Sequence, residues 1–492
     1  MTRLAWPVLG AAVLLGALVP FGPPISAAAA PDRSHPPKPG APVALRLPET
    51  SRLQLSNGIP VFLVERHKVP LAEVLVILRG GASADPANRP GLASLTADLL
   101  DRGAGSRSAL EISDLADTLG AALEAEAGWD TTTVGINVPV ARLSDAMALI
   151  ADLVRNPTFP PEELERVRQE RLTGMLQWRD DPAEIAAAAF ARAVYGRHAY
   201  GRRPEGSPAS IRSVTRDEVR RFHAARYTPA GAAIVVVGDV RAAEALPLLN
   251  RAFGSWAASG PASAVSPPAA APQLSGRRVI LVDKPEAPQS QIWIGRVGPP
   301  RSTPDYFPLL VANTILGGSF TSRLNHNLRE TKGYTYGAFS QFDYRISTGP
   351  FLASAAVQTD KTGPALTEFF RELEAIREET PAPELERARN YAALRYPAGF
   401  ETDGQVAGRV RDQFVYGLPD DYFNTYVGRI QAVTAADVRR VARQWIDPRS
   451  CAIVVVGDRR RIEAQVAALH LGPVTFLSVE DVLGGPGKSS RP

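Results

Sequence analysis

Residues 234–239 read Ile-Val-Val-Val-Gly-Asp, and the same six residues recur at positions 453–458. A run of β-branched residues that ends in Gly-Asp is typical of a buried strand followed by a turn. The segment Val-Arg-Arg at residues 219–221 recurs at the same spacing, at residues 438–440. Two segments that repeat at one constant spacing predict a duplicated fold.

A second pair of matching segments lies near the start of each copy. Val-Phe-Leu-Val-Glu at residues 61–65 matches Val-Ile-Leu-Val-Asp at residues 279–283. Each copy is predicted to begin with two strands, and amphipathic helices follow, in the first copy at residues 109–119, 141–153 and 161–178. The expected fold class is α+β: two homologous halves, each a mainly antiparallel sheet with helices on one face, forming a hinged clamshell.

Composition excludes several classes of protein. The chain has 492 residues, of which 45% are apolar and 22% charged, as in multidomain globular proteins. The 55 basic residues exceed the 51 acidic ones only slightly and are scattered, which argues against a nucleic-acid partner. The single cysteine, Cys451, permits neither an intramolecular disulfide nor a cysteine-based metal site.

The N-terminus is typical of a cleaved signal peptide over residues 1–30. A short basic start, an apolar run at residues 8–19 and small residues at 26–30 follow in order. The alternative, an uncleaved membrane anchor, is disfavoured because the apolar run is short and prolines interrupt its end. No later stretch reaches the length of a membrane span, so we expect an exported protein, periplasmic in a bacterium.

Low-complexity segments predict the domain boundaries. A Pro-rich tether is expected at residues 31–46, an Ala/Pro/Ser linker at 257–276 and a flexible tail at 477–492. They leave an N-terminal domain at residues 47–256 and a C-terminal domain at 277–476.

Motifs in both halves resemble those of the pitrilysin/insulinase family of zinc metallopeptidases. The first half has Arg-Gly-Gly-Ala-Ser-Ala-Asp at residues 79–85, followed by Gly-Leu-Ala at 91–93. The second half has Gly-Gly-Ser-Phe-Thr-Ser-Arg-Leu at 317–324, followed by Leu-Arg-Glu at 328–330 and Gly-Tyr-Thr-Tyr at 333–336. The resemblance covers about residues 47 to 475 and implies duplicated α+β halves.

The resemblance also implies a zinc helix with the pattern His-x-x-Glu-His, and this pattern is lost. Ser94 and Asp98 stand at the two histidine positions and Ala97 at the position of the general base. The family's third ligand, a Glu on a later helix, aligns with Gly174, and residues 171–177 contain no carboxylate. The chain is therefore expected to hold no metal and no catalytic residue of its own, since a catalytic zinc needs three protein ligands. The histidines form no i,i+4 pair; they stand at positions 35, 67, 198, 223, 326 and 470.

The second half keeps a different part of the family's machinery. Arg329 and Tyr336 match the pair that contacts the peptide backbone and the oxyanion in the resembled enzymes. Guanidinium and phenol both donate hydrogen bonds to a carbonyl that gains negative charge. The alternative is that Arg329 is a solvated helix residue and Tyr336 a strand core residue. At residues 120–125 Glu124 replaces the family's usual Asn on the substrate-binding edge strand, although an edge strand still offers peptide binding by β-addition.

These observations predict a non-catalytic subunit of a periplasmic zinc metallopeptidase heterodimer. Zinc is expected only in the partner, a zinc-bearing chain of the same family, and Arg329 and Tyr336 would bind and polarise a peptide or unfolded protein that the partner cleaves. The main alternative is a structural or peptide-binding module with a vestigial pair. A third hypothesis, an active zinc peptidase with an unusual site, is opposed by the missing ligands. No nucleic acid is expected as a partner, nor a membrane after signal cleavage.

Overall fold

The computed structural model describes residue 40, residues 47–257 and residues 266–484. The predicted signal peptide, nearly all of the tether, residues 258–265 of the linker and residues 485–492 of the tail lie outside the described residues. Residues 47–257 and 266–484 belong to one compact unit. No helix in the described part of the chain is long and apolar enough to cross a membrane.

The first half contains eight strands and eight helices. Its strands are β1 Ser51–Gln54, β2 Pro60–Glu65, β3 Leu71–Arg79, β4 Gly103–Ala104, β5 Arg107–Ser108, β6 Ala122–Ala127, β7 Thr131–Pro139 and β8 Ala232–Gly238. Its helices are α1 Leu92–Asp98, α2 Ala109–Leu119, α3 Leu143–Arg155, α4 Pro161–Gln177, α5 Pro182–Tyr195, α6 Pro208–Ser213, α7 Arg216–Arg226 and α8 Ala242–Phe253.

Within the described residues, the second half has six strands, nine α-helices and a π-helix. Its strands are β9 Arg278–Asp283, β10 Gln289–Val297, β11 Thr335–Phe342, β12 Pro350–Gln358, β13 Ala452–Gly457 and β14 Val474–Ser478. Its helices are α9 Tyr306–Leu316, α10 Arg323–Asn325, the π-helix His326–Thr331, α11 Thr362–Glu378, α12 Ala382–Arg395, α13 Asp403–Tyr416, α14 Tyr422–Gln431, α15 Ala435–Trp445, α16 Arg459–Ala467 and α17 Val479–Leu483.

Sheet topology confirms the two related α+β halves. The six-stranded sheets have the orders β1-β2-β8-β3-β7-β6 and β11-β12-β10-β13-β9-β14, and most neighbours in each are antiparallel. The repeated segments occupy matching places, since Val61 pairs with Ile234 in one sheet and Val279 pairs with Ile453 in the other, both in parallel register. The duplication read from the sequence is thus a duplication of strand position.

The two halves also exchange helices, so that each sheet receives a helix of the other half. Helix α5 of the first half lies on β10 and β13 of the second half, while α13 of the second half lies on β3 and β8 of the first. The exchange explains why β8 and β13 are buried along their whole length, because a strand covered on both faces is apolar without alternation. Each half thus supplies one helix to the core of the other.

A buried ion pair reinforces this exchange. Arg66 Nη1 lies 2.9 Å from Asp403 Oδ1, and both side chains are less than one-tenth exposed. The Arg66 guanidinium also donates to the carbonyl of Glu401 at 3.1 Å. Farther along β2 and α13, the rings of Phe62 and Phe414 pack with centroids 5.8 Å apart. The two halves are therefore joined by charge as well as by apolar packing.

Two predicted boundaries differ from the described structure. Within the predicted linker, Ala271 and Leu274 are buried and pack in a cluster with α5. At the other end, β14 pairs with β9 and α17 packs on α5, so regular structure continues past the predicted domain end at residue 476 to residue 483. Both segments carry apolar residues that pack on neighbouring elements of the fold. Their composition alone does not reveal this packing.

Candidate functional site

The degenerate zinc helix is α1, and a buried carboxylate fixes its start. Asp85 accepts hydrogen bonds from the backbone amides of Gly91 at 2.7 Å and Ala93 at 2.8 Å. Burial raises the pKa of Asp85 to about 7, although these amides act in the opposite direction. Gly91 has φ +92°, and a Cβ there would lie 2.6 Å from the carbonyl oxygen of Glu205. The helix therefore begins at a place that only glycine fits.

The three positions that would carry the zinc chemistry face different surroundings. Ser94 donates from Oγ to the carbonyl of Pro204 at 2.7 Å. Ala97 is fully buried in the core of the first half. Asp98, one helical turn beyond Ser94, is 42% exposed. None of these side chains is a histidine or a base positioned to activate water.

Helix α4 brings an arginine, not a carboxylate, to this place. Arg171 donates from Nη1 to Ser94 Oγ at 2.8 Å and from Nη2 to the Asp98 carboxylate. Gly174, aligned with the third zinc ligand, leaves open space, since a Cβ built there meets no atom within 4 Å. Arg171 was not among the site residues predicted from the sequence. The available signal was a basic residue one helical turn before Gly174.

The residues present do not fit a zinc ion. A serine hydroxyl and one carboxylate are too few donors, and a guanidinium is a permanent cation without a free lone pair. No group of three His, Cys, Asp or Glu side chains able to hold a metal occurs within the described residues.

Three of the described histidines, His67, His198 and His223, bond protein groups outside α1. His67 Nδ1 lies 2.6 Å from Asp239 Oδ1, and that bond raises the pKa of this exposed imidazole. His198 Nε2 bonds the carbonyl of Ala269 at 2.8 Å. His223 donates to the carbonyl of Val154 at 2.9 Å, and burial lowers its pKa to about 4. The residues face protein partners and not a common point.

Arg329 lies on the π-helix of the second half. This helix ends at Thr331, and Gly333, with a φ of +65°, turns the chain toward β11. The Arg329 side chain is 37% exposed, and its Cζ lies 4.6 Å from the centre of the Phe320 ring. Its Nε lies 3.3 Å from the carboxylate of Glu330. A π-helical turn is frequent at functional sites, and here it holds the guanidinium against an exposed aromatic ring.

Tyr336 projects from β11, the edge strand of the second sheet. It is 89% exposed, and the strand register breaks between Thr335 and Ala338. Thr335 Oγ1 accepts a hydrogen bond from the amide of Gly337 at 3.1 Å, which fixes this irregularity. Tyr336 is therefore not a core residue of the strand, and its phenol is available to solvent or to a ligand.

The corresponding edge of the first sheet is β6. Glu124 is exposed there, and β6 pairs with β7 alone among the described strands. The backbone of β6 thus offers unpaired donors and acceptors along one side of this sheet edge.

Fold and site together define a class: a duplicated α+β chain of peptidase type in which an arginine stands among the former metal-ligand positions. The model described as insulinase (peptidase family M16) matches residues 61–203, and the model described as peptidase M16 inactive domain matches residues 213–391. The chain belongs to the insulinase/pitrilysin family, M16.

Some relatives are named as zinc proteases and one as a non-peptidase homolog. The chain is 27% identical to an uncharacterized zinc protease of Mycobacterium bovis, over 89% of this chain and 99% of that protein. It is 20% identical to the non-peptidase homolog YmxG of Helicobacter pylori, over 82% of this chain and 93% of that protein. The solved peptidase M16 inactive domain from Pseudomonas fluorescens has the same fold, with a TM-score of 0.78 and 24% identity over 83% of this chain and 98% of that one. With its zinc donors missing, this chain is a non-catalytic, peptidase-like member.

Proposed function

We propose that this chain is the non-catalytic subunit of a periplasmic zinc metallopeptidase heterodimer. Its Arg329 and Tyr336 would bind and polarise a peptide that a zinc-bearing partner of the same family cleaves. The observation that carries the proposal is the contrast between the two halves: the zinc positions hold Ser94, Ala97 and Asp98, whereas the Arg/Tyr pair is kept and exposed.

The exposure of the pair supports a role toward a ligand. A tyrosine that is 89% exposed contributes little to the core, and within the described residues the Arg329 guanidinium makes only a 3.3 Å pair with its neighbour Glu330 and a contact with Phe320. Such donors are free to bond a peptide carbonyl. If they bond it more strongly as negative charge develops, they lower the barrier for the partner's reaction.

The test is to co-express this chain with a family member that has an intact His-x-x-Glu-His motif. Arg329→Ala and Tyr336→Phe should each lower the kcat for peptide hydrolysis on the order of 10²-fold, as for an oxyanion-hole donor. The mass of the complex, measured by light scattering, should stay unchanged.

Arg371→Ala is the matched control, because Arg371 is another exposed arginine of the second half, 68% exposed. It should keep full turnover. Full turnover in both Arg329→Ala and Tyr336→Phe complexes would refute a role of the pair in catalysis and leave the chain as a scaffold.

The unpaired edge of β6 favours a second candidate, a peptide-binding module without a role in catalysis. Its backbone could take an extended peptide by β-addition. In that case the purified chain alone would bind unfolded peptide, and Arg329→Ala would leave both peptide binding and the partner's turnover unaffected.

The periplasmic part of the proposal rests on residues 1–30. Fusing these residues to alkaline phosphatase, which is active only after export, should give phosphatase activity in a bacterial host. Deleting residues 8–19 should abolish it.

A further inference from the structure

The zinc ion that the family implies does not fit this chain, and the contacts of Arg171 show what stands near the missing ligands. We propose that the Arg171 guanidinium takes over the structural work of the metal: it fastens α1 to α4 and keeps a metal cation out. This inference concerns the first half and is independent of any role for Arg329 and Tyr336.

Arg171 contacts hydrogen-bond acceptors from several segments of the first half. Nη1 donates to Ser94 Oγ at 2.8 Å and lies 3.4 Å from the carbonyl oxygen of Gly91 and 3.3 Å from that of Glu205, while Nη2 donates to the Asp98 carboxylate. These acceptors come from both ends of α1 and from the loop after α5. One side chain thus links three segments, as a coordinated ion does.

The spacing of residues on α1 and α4 places Arg171 opposite the former ligand positions. Ser94 and Asp98 are four residues apart on α1, so their side chains lie on one face, as two histidine ligands would. Arg171 and Gly174 are three residues apart on α4 and share a face as well. Arg171 therefore approaches α1 from the face on which a third ligand would stand.

The charge and the burial of the Arg171 side chain also oppose metal binding. Arg171 is only 11% exposed, and its guanidinium brings a positive charge to this place. It uses the Asp98 carboxylate and the Ser94 lone pairs that a metal would need, and its positive charge repels Zn²⁺. Arg166 on the same helix provides a contrast, since it is 43% exposed and its ion pairs in the described part of the chain are with Glu163 and Glu170 of its own helix.

The first experiment measures amide hydrogen exchange in α1. Arg171→Met should speed exchange of the α1 amides at least tenfold, while Arg166→Met, the matched control, should leave them unchanged. Arg171→Lys should fall between, because an ammonium cannot bond Ser94 and Asp98 in the planar geometry of a guanidinium. Equal α1 exchange in the wild type and in Arg171→Met would overturn the fastening role.

The second experiment measures zinc binding by titration calorimetry. Ser94→His and Asp98→His are introduced together, which places two histidines at i,i+4. We expect at least tenfold tighter Zn²⁺ binding when Arg171→Ala is added than when Arg171 is kept. Equal affinity with and without Arg171, or no binding in either variant, would overturn its role in excluding metal. Circular dichroism of each variant checks that it is folded.

Discussion

The ion pair between Arg66 and Asp403 should be a strong determinant of stability, and Arg66→Met tests this. The substitution keeps the length and apolar stem of the side chain but removes the charge. It leaves Asp403 less than one-tenth exposed and without its cationic partner. It also removes a donor to the carbonyl of Glu401.

The expected loss follows from this burial. Removing one partner of a buried ion pair typically costs about 3–5 kcal/mol, because the remaining charge is desolvated and uncompensated. An exposed pair contributes about 0–1 kcal/mol. Arg52 and Asp420 form such a pair across the same two halves, with side chains 55% and 73% exposed. Arg52→Met is therefore a matched control and should cost no more than about 1 kcal/mol.

The loss should depend on pH in a defined direction. Burial already raises the pKa of Asp403, while Arg66 and Lys68 lower it, so removing Arg66 raises it further. Burial also raises the pKa of Glu73, and the charge of Asp403 adds to this. A carboxyl whose folded pKa exceeds its unfolded value destabilises the protein as pH rises above that unfolded value. The deficit of Arg66→Met should therefore be largest at neutral pH and shrink toward pH ~4.

The assay is urea unfolding followed by circular dichroism, with the free energy of unfolding taken from the midpoint and slope. Adding Asp403→Leu to Arg66→Met should recover most of the loss, since a buried pair replaced by apolar residues is often neutral. A loss for Arg66→Met no larger than that for Arg52→Met would refute the reasoning.

Further outcomes follow from other parts of the chain. The pKa of His223 is lowered to about 4 in the folded protein, so between pH ~6.5 and 4 the unfolded state binds one proton more than the folded state. Over that pH range the wild type should lose about 3 kcal/mol of stability relative to His223→Gln. Urea unfolding at several pH values measures this loss. Tyr336→Phe should change the free energy of unfolding by less than about 0.5 kcal/mol, because the side chain is exposed. A protease site inserted at residues 258–265 and cut should leave two fragments that elute together on gel filtration, because α5 and α13 are exchanged; fragments that separate without denaturant would contradict this. The purified chain should contain no stoichiometric zinc by plasma emission and should cleave no unstructured peptide alone.

The duplicated sheets could be predicted because their signal is local. The segments at residues 234–239 and 453–458 form the buried ends of β8 and β13, and the predicted helix at residues 109–119 is α2. Apolar periodicity and Gly-Asp turns need no knowledge of distant residues. The exchange of α5 and α13 could not be read in this way, since an amphipathic helix shows which face is apolar but not which sheet it covers.

The candidate site could likewise be predicted where its signal is local, but not where it depends on contacts between distant residues. The loss of zinc ligands at Ser94, Ala97 and Asp98 was visible in sequence because the spacing of a metal-binding helix is local. The role of Arg171 depends on a contact with residues more than 70 positions earlier, and arginine is not a residue for which a metal site is searched. The roles of Arg329 and Tyr336 stay a prediction. The alternative that Tyr336 is a core residue of its strand is excluded, because its side chain is exposed.

The exchanged helices also have a consequence during synthesis on the ribosome. The face of the first sheet formed by Phe62, Leu75 and Ile77 is covered by α13, which ends about 180 residues after β8. At about 5–20 residues per second, that surface waits on the order of ten seconds or more for its cover. A nascent chain in that interval presents a wide apolar sheet, the kind of surface that chaperones bind. A truncated product ending before α13 should be degraded or aggregate, however intact its own sequence is.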